Sequence, residues 1–270
     1  MVRGRPEQTW AMELMVSVKD GELWADDSGG DGLPLVLLHP GIGDSTIWDT
    51  VMPRLTERHR VIRYDVRGFG RSPAATAKYS LVEDLVAVLD HFGLRRVALV
   101  GSSMGGVPAV NLALDDPGRI AALALLCPGV TGYPGMLTTA EFMAELEARA
   151  EAGDMDGILA LAMRTWAAAG VGDDAEAAAR IRASIPAWFS NQPYQMQDPP
   201  TFGRLGEMAV PCALALGEQD QPEVVRCNED MAASIPGCRL VRLPGSDHLP
   251  TLREPDAVAD LVLELCDGVR

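Results

Sequence analysis

Arg96-Val97-Ala98-Leu99-Val100-Gly101-Ser102-Ser103-Met104-Gly105-Gly106 reads as a strand, a sharp turn and the start of a helix in one short run. The residues from Arg96 to Val100 make the strand, small residues follow, and Met104 to about Leu114 has helical character. A strand that turns directly into a helix is crowded, and glycine at 101 and 105 removes the Cβ atoms that would clash there. The G-x-S-x-G pattern puts Ser103 at the apex of the turn. Its hydroxyl is expected to project from the end of the sheet toward the first amides of the helix.

On either side, short apolar runs alternate with amphipathic stretches. Strands are expected at Leu14–Val18, Gly21–Ala25, Leu35–His39, Val61–Tyr64, Ile120–Leu126, Cys212–Leu216 and Arg239–Leu243, which with Arg96–Val100 makes eight. This pattern predicts an α/β protein: an eight-stranded, mostly parallel sheet with helices on both faces. The Lys19-Asp20-Gly21 turn is too short for a crossover, so the first two strands form an antiparallel hairpin. Ser80-x-x-Glu83 is a capping box for a surface helix, and Gly93 closes that helix. Between Cys127 and Pro211 the rhythm breaks into helical periodicity without a convincing strand. A second capping box, Thr138-x-x-Glu141, precedes Phe142 and Leu146, and Ile158, Leu161, Ala162, Thr165 and Trp166 form another stripe. The expected organisation is a core domain of residues 1–128 and 207–270 with a helical cap inserted at 129–206. Gly170–Asp174 and Gln192–Pro200 are expected to be loops.

The 270 residues contain 47% hydrophobic and 23% charged side chains, the balance of an ordinary globular fold rather than of a disordered or coiled-coil chain. A formal net charge of -15 repels phosphate backbones and anionic membrane surfaces, so neither nucleic acid nor membrane is an expected partner. The first residues lack a secretory apolar stretch and no run reaches the ~20 apolar residues of a membrane span, which makes the cytoplasm the expected compartment. Five cysteines without a C-x-x-C pair read as reduced thiols. Four dispersed histidines show no ligand spacing, so no metal and no cofactor is expected.

A serine hydroxyl is a weak nucleophile until a base takes its proton. In a strand–turn–helix arrangement of this kind the chain order is nucleophile, acid, histidine, and His248 is the one histidine after Ser103. It lies in the loop after the last expected strand, at the same end of the sheet. Asp220, after the strand Cys212–Leu216, is the leading carboxylate to orient it. Glu218 shares that loop, Asp247 is too close in sequence to reach round the ring, and Asp198 is a remote option in the inserted segment. Two backbone amides should face the developing oxyanion. Met104 supplies one, and Gly41 or Ile42 the other, with Gly41 preferred, because Pro40 has no N–H. His39, at a strand end, is expected to brace this loop.

These residues resemble the α/β-hydrolase superfamily over almost the whole chain. The resemblance rests on Leu37-Leu38-His39-Pro40-Gly41-Ile42-Gly43-Asp44-Ser45, Asp65-Val66-Arg67-Gly68-Phe69-Gly70-Arg71-Ser72, Gly101 to Gly106, Gly217-Glu218-Gln219-Asp220 and Gly245-Ser246-Asp247-His248, in that order. It implies a Ser103–His248–Asp220 triad and makes Gly68-Phe69-Gly70 a structural turn rather than a nucleotide loop. Pro40 departs from the glycine usual in the family. A serine nucleophile argues against the aspartate-dependent dehalogenases and epoxide hydrolases, and the cap is most similar to that of 3-oxoadipate enol-lactonase and small bacterial esterases. The expected function is hydrolysis of a small carboxylic ester or lactone through an acyl-enzyme. A receptor on the same fold, a lyase or cyclase, and a C–C bond hydrolase are the alternatives. Trp166, Trp188, Phe189, Tyr194 and Met136 are the expected lining of an apolar substrate pocket. The oligomeric state stays open, a homodimer included.

Overall fold

In the computed structural model, which describes residues 12–135, 139–170 and 174–269, the apolar runs form eight strands. They are β1 (Met12–Val18), β2 (Gly21–Asp27), β3 (Leu35–Leu38), β4 (Val61–Tyr64), β5 (Val97–Ser102), β6 (Ile120–Leu126), β7 (Cys212–Gly217) and β8 (Arg239–Leu243). Their spatial order is β1-β2-β4-β3-β5-β6-β7-β8. β1 pairs antiparallel with β2 and β2 antiparallel with β4; every later pair is parallel. The chain runs from β3 outward to β4 and then returns to place β5 on the other side of β3. That reversal opens a crevice at the carboxyl ends of β3 and β5, where ligands bind in folds of this type.

Nine helices accompany the sheet, counted among the described residues: α1 (Met52–Thr56), α2 (Leu81–His91), α3 (Gly106–Asp115), α4 (Ala140–Glu151), α5 (Met155–Trp166), α6 (Ala175–Asn191), α7 (Pro222–Ser234), α8 (Pro250–Arg253) and α9 (Pro255–Asp267), of which α5 packs on both α4 and α6. Strand alternation divides the core in two. Val36, Leu38, Leu99, Leu123 and Leu125 pack with Leu85 and Leu89 of α2 and Val110 of α3. Leu35, Leu37, Ala98, Val100 and Ala124 face the other way, onto Met52 and Leu55 of α1 and Val258, Leu261 and Val262 of α9. Strands buried on both faces explain why the central runs are apolar throughout rather than alternating.

The local signals act much as expected. Ser80 Oγ accepts the Val82 and Glu83 amides at 3.2 and 3.3 Å, and Gly93 follows α2 at φ +66. At α4 the capping residue is Thr139, whose hydroxyl accepts the Phe142 amide at 3.1 Å, one position later than expected. Thr138 lies outside the described residues. Arg67, on the loop after β4, makes two 2.8 Å bonds to Asp84 of α2, both side chains being buried. Its own carbonyl accepts from Asn191 of α6 at 2.6 Å, which ties α6 to the loop after β4. No helix among the described residues is long and apolar enough to cross a membrane.

Candidate active site

β5 delivers Ser103 in a left-handed conformation, φ +47, before a single tight turn opens into α3. A side chain in that region carries about 1–2 kcal/mol of backbone strain, which the packing around it sustains. Glycine is required on both sides. A Cβ at Gly101 would lie 2.6 Å from the Gly105 carbonyl oxygen, and one at Gly105 would collide with the Leu38 carbonyl of β3. The serine is thereby lifted out of the end of β5 into the crevice, and its carbonyl is held by the Gly129 amide at 2.8 Å.

Two loops on the far side of β5 meet it there. His248 Nε2 lies 2.7 Å from Ser103 Oγ, and His248 Nδ1 lies 2.5 Å from Asp220 Oδ2. A carboxylate only accepts, so Nδ1 carries the proton and Nε2 is left to accept from the serine hydroxyl. The other Asp220 oxygen accepts the Gln221 amide at 2.7 Å. Asp220 and His248 are both buried. Burial works against the imidazolium, but the Asp220 charge and hydrogen bond, joined by the charge of Asp247, outweigh it and hold His248 above its ordinary 6.5.

The competing carboxylates are engaged elsewhere. Asp247 accepts from Arg253 at 2.9 and 3.0 Å and from the Ala169 and Leu249 amides. Glu218 is exposed and faces Arg242 at 3.7 Å. Asp198 lines the cavity above the serine rather than reaching the histidine. Cys127, at φ +42 after β6, is buried with Sγ near Asp220 and His248, their ligand-type atoms lying within 4.8 Å of one another. That spacing suits a metal, but burial, with the nearby carboxylates, pushes the thiol well up, and His248 Nδ1 is already committed to Asp220. The three residues do not form a ready ligand set.

The loop after β3 is braced from both sides. The Val66 amide donates to His39 Nε2 at 3.0 Å, so Nδ1 bears the proton and donates to the Pro40 carbonyl at 2.8 Å. The Trp188 indole N–H, from α6, donates to the Gly41 carbonyl at 2.6 Å. In a trans peptide the N–H points away from the C=O, so fixing these two carbonyls fixes the directions of the Gly41 and Ile42 amides. Gly41, Ile42, Met104, Ser103 and His248 all line one cavity of about 620 Å³.

Trp166 and Trp188 line this cavity as well, stacked edge to face with centroids 5.7 Å apart. Phe142 extends the stack at 5.0 Å from Trp166, whose carbonyl accepts the His248 amide at 3.3 Å. Two expected lining residues do not take part. Phe189, one position beyond Trp188 on α6, is turned outward and 39% exposed, and Tyr194 packs against the main core cluster. Met136 lies outside the described residues. The sequence gives little sign of the remaining wall. Phe69 comes from a turn, Leu81 from the start of α2, and Gln192, Gln195, Met196, Gln197 and Asp198 from a stretch expected to be a loop, which runs beside Tyr79 through a parallel bridge at Gln195.

This arrangement of sheet, serine turn and histidine loop defines the class: the chain belongs to the alpha/beta hydrolase family, whose pattern it matches over residues 35–261, and it is a hydrolase enzyme of that fold. Among curated proteins it is 31% identical over 234 residues to RutD of Variovorax paradoxus, a protein named for carbamate hydrolysis, with 81% of this chain and 86% of RutD covered. A solved hydrolase from Pseudomonas aeruginosa PA01 is similar at 27% identity and TM-score 0.79, covering 94% of this chain and 97% of that one. The enol-lactonase of Burkholderia xenovorans LB400 shares the fold at TM-score 0.80 and 23% identity, covering 94% and 100%.

Proposed function

We propose that the chain cleaves a small carboxylic ester or lactone through an acyl-enzyme, with Ser103 as nucleophile, His248 as base and then acid, and Asp220 as the group that orients the imidazole. The observation that carries this reading is the unbroken hydrogen-bonded series from Ser103 Oγ through His248 to Asp220 at 2.7 and 2.5 Å, opening into the cavity. Ser103 Oγ attacks the substrate carbonyl while its proton passes to His248 Nε2. The tetrahedral oxyanion is received by the Met104 amide and by Gly41, with Ile42 the neighbouring alternative. His248 returns the proton to the departing oxygen as the C–O bond breaks. Water then repeats the sequence on the acyl-enzyme and releases the acid. Residues 129–206 act as a cap over a core of residues 1–128 and 207–270, excluding bulk water from the acyl-enzyme.

RutD's name extends the range of carbonyl substrates to test to carbamates. A fluorophosphonate probe should label Ser103, and Ser103→Ala should abolish labelling and lower kcat on nitrophenyl esters by about 10³–10⁶ while the fold persists. Hydrolysis in ¹⁸O-water should place solvent oxygen in the released acid, which distinguishes this chemistry from a lyase or cyclase. A folded Ser103→Ala protein with undiminished turnover overturns the assignment.

A further inference from the structure

The cavity is electrostatically one-sided. Its described lining contains no lysine or arginine; besides His248 and the buried Cys127 thiol its ionisable group is the carboxylate of Asp198, and the amides of Asn191, Gln192, Gln195 and Gln197 line it as well. Asp198 is only partly exposed, and the groups acting on it include no cation. Burial raises its pKa, and a hydrogen bond from Ser80 offsets this in part. The surrounding cations are engaged elsewhere: the exposed Lys78 ammonium donates to the Pro193 carbonyl at 2.7 Å, Arg67 pairs with Asp84 at 2.8 Å, Arg180 with Glu176 at 2.8 Å, and Arg253 with Asp247 and Asp174 at 2.9 and 2.6 Å. A substrate carboxylate entering here would give up its hydration with no cation to compensate its charge and with the Asp198 carboxylate repelling it. An ammonium group would meet an unpaired carboxylate, in a protein whose net charge of -15 already draws cations toward it.

We propose that the acyl group this cavity favours carries an ammonium-type cation at the end remote from the scissile carbonyl, held by Asp198 and the neighbouring glutamine amides, and that acyl groups ending in a carboxylate are rejected. This rests on the ester-hydrolase reading of the same site. The test uses three nitrophenyl esters of matched length: the neutral pentanoate, the anionic hemiglutarate and the cationic 4-(trimethylammonio)butanoate. The expected kcat/KM for the cationic ester exceeds that for the anionic one by about 10-fold or more, and Asp198→Asn and high salt each shrink that ratio severalfold. A wild-type enzyme that turns over the neutral ester but shows no preference for cation over anion overturns this inference alone. So does a folded Asp198→Asn enzyme with the ratio unchanged. Absence of turnover with all three esters overturns the ester-hydrolase reading and this inference with it.

Discussion

Replacing Trp188 with phenylalanine keeps an aromatic ring on α6 beside Trp166 and removes the indole N–H that donates to the Gly41 carbonyl at 2.6 Å. The lost bond is worth about 0.5–1.5 kcal/mol, which at 1.36 kcal/mol per decade corresponds to a fall of about 2- to 13-fold if it is felt wholly in the transition state. The Gly41 carbonyl shares its peptide with the Ile42 N–H, so the substitution loosens the Ile42 amide, the alternative donor. Complete loss of an oxyanion donor costs about 10²–10³ in kcat and sets the ceiling, because the His39 bond to Pro40 still orients the Gly41 amide. The expected result is therefore a drop in kcat of up to about 10-fold with KM within about twofold, since a group that serves the oxyanion matters little to ground-state binding. Trp166→Phe is the matched control. Trp166 reaches the His248 loop through its backbone carbonyl, which the substitution keeps, so it should alter KM more than kcat. Initial rates on a neutral nitrophenyl ester, with circular dichroism to verify folding, decide the matter. If Trp188→Phe leaves kcat unchanged, or moves KM alone, the Ile42 amide does not serve the oxyanion, the indole only packs the cavity wall, and the reasoning is refuted.

The raised pKa of His248 fixes two pH effects. The base must be neutral, so the acid limb of kcat/KM should have its midpoint above 6.5, and a midpoint below 6.5 contradicts the Asp220 pairing. The same shift contributes stability that is complete below the unfolded value near 6.5 and is lost as pH rises through the folded pKa, measurable as the pH dependence of urea midpoints. Arg67→Met strands the buried Asp84 carboxylate and should cost about 3–5 kcal/mol in urea unfolding, with much of it recovered in the double variant Arg67→Met/Asp84→Leu. Gly105→Ala forces a Cβ against the Leu38 carbonyl and should destabilise by at least about 1–3 kcal/mol; an unchanged melting temperature contradicts the close approach of β3 to the serine turn.

The sheet is legible in the sequence because its strands are buried on both faces, so Leu35–Leu38 and Ile120–Leu126 stand out as short unbroken apolar runs. Ser103 is marked by a glycine pattern with a mechanical reason, and His248 by elimination, since each signal lies within a few residues. What fails to show is what depends on distant contacts or on phase. Thr138 and Thr139 are adjacent and chemically equal, and only the path of the backbone chooses the second as cap. Trp188 and Phe189 differ by one helical step, and Pro186 within α6 interrupts the stripe that would order them. The indole bond to Gly41 spans 147 positions, and the polar stretch from Gln192 to Asp198 has no periodicity to show that it walls a cavity.

The proposed reacting groups stand on the turn and loops that follow β5, β7 and β8, while much of the cavity wall comes from the segment between β6 and β7. Substrate preference is therefore open to re-engineering by grafting the helical segment of one relative onto the scaffold of another, leaving the chemistry in place. Trp188 limits that freedom, because it belongs to the exchanged segment yet holds a peptide of the retained scaffold. Chimeras that preserve an indole at this position should keep their turnover number as their substrate range changes, whereas those that lose it should bind new substrates and process them slowly.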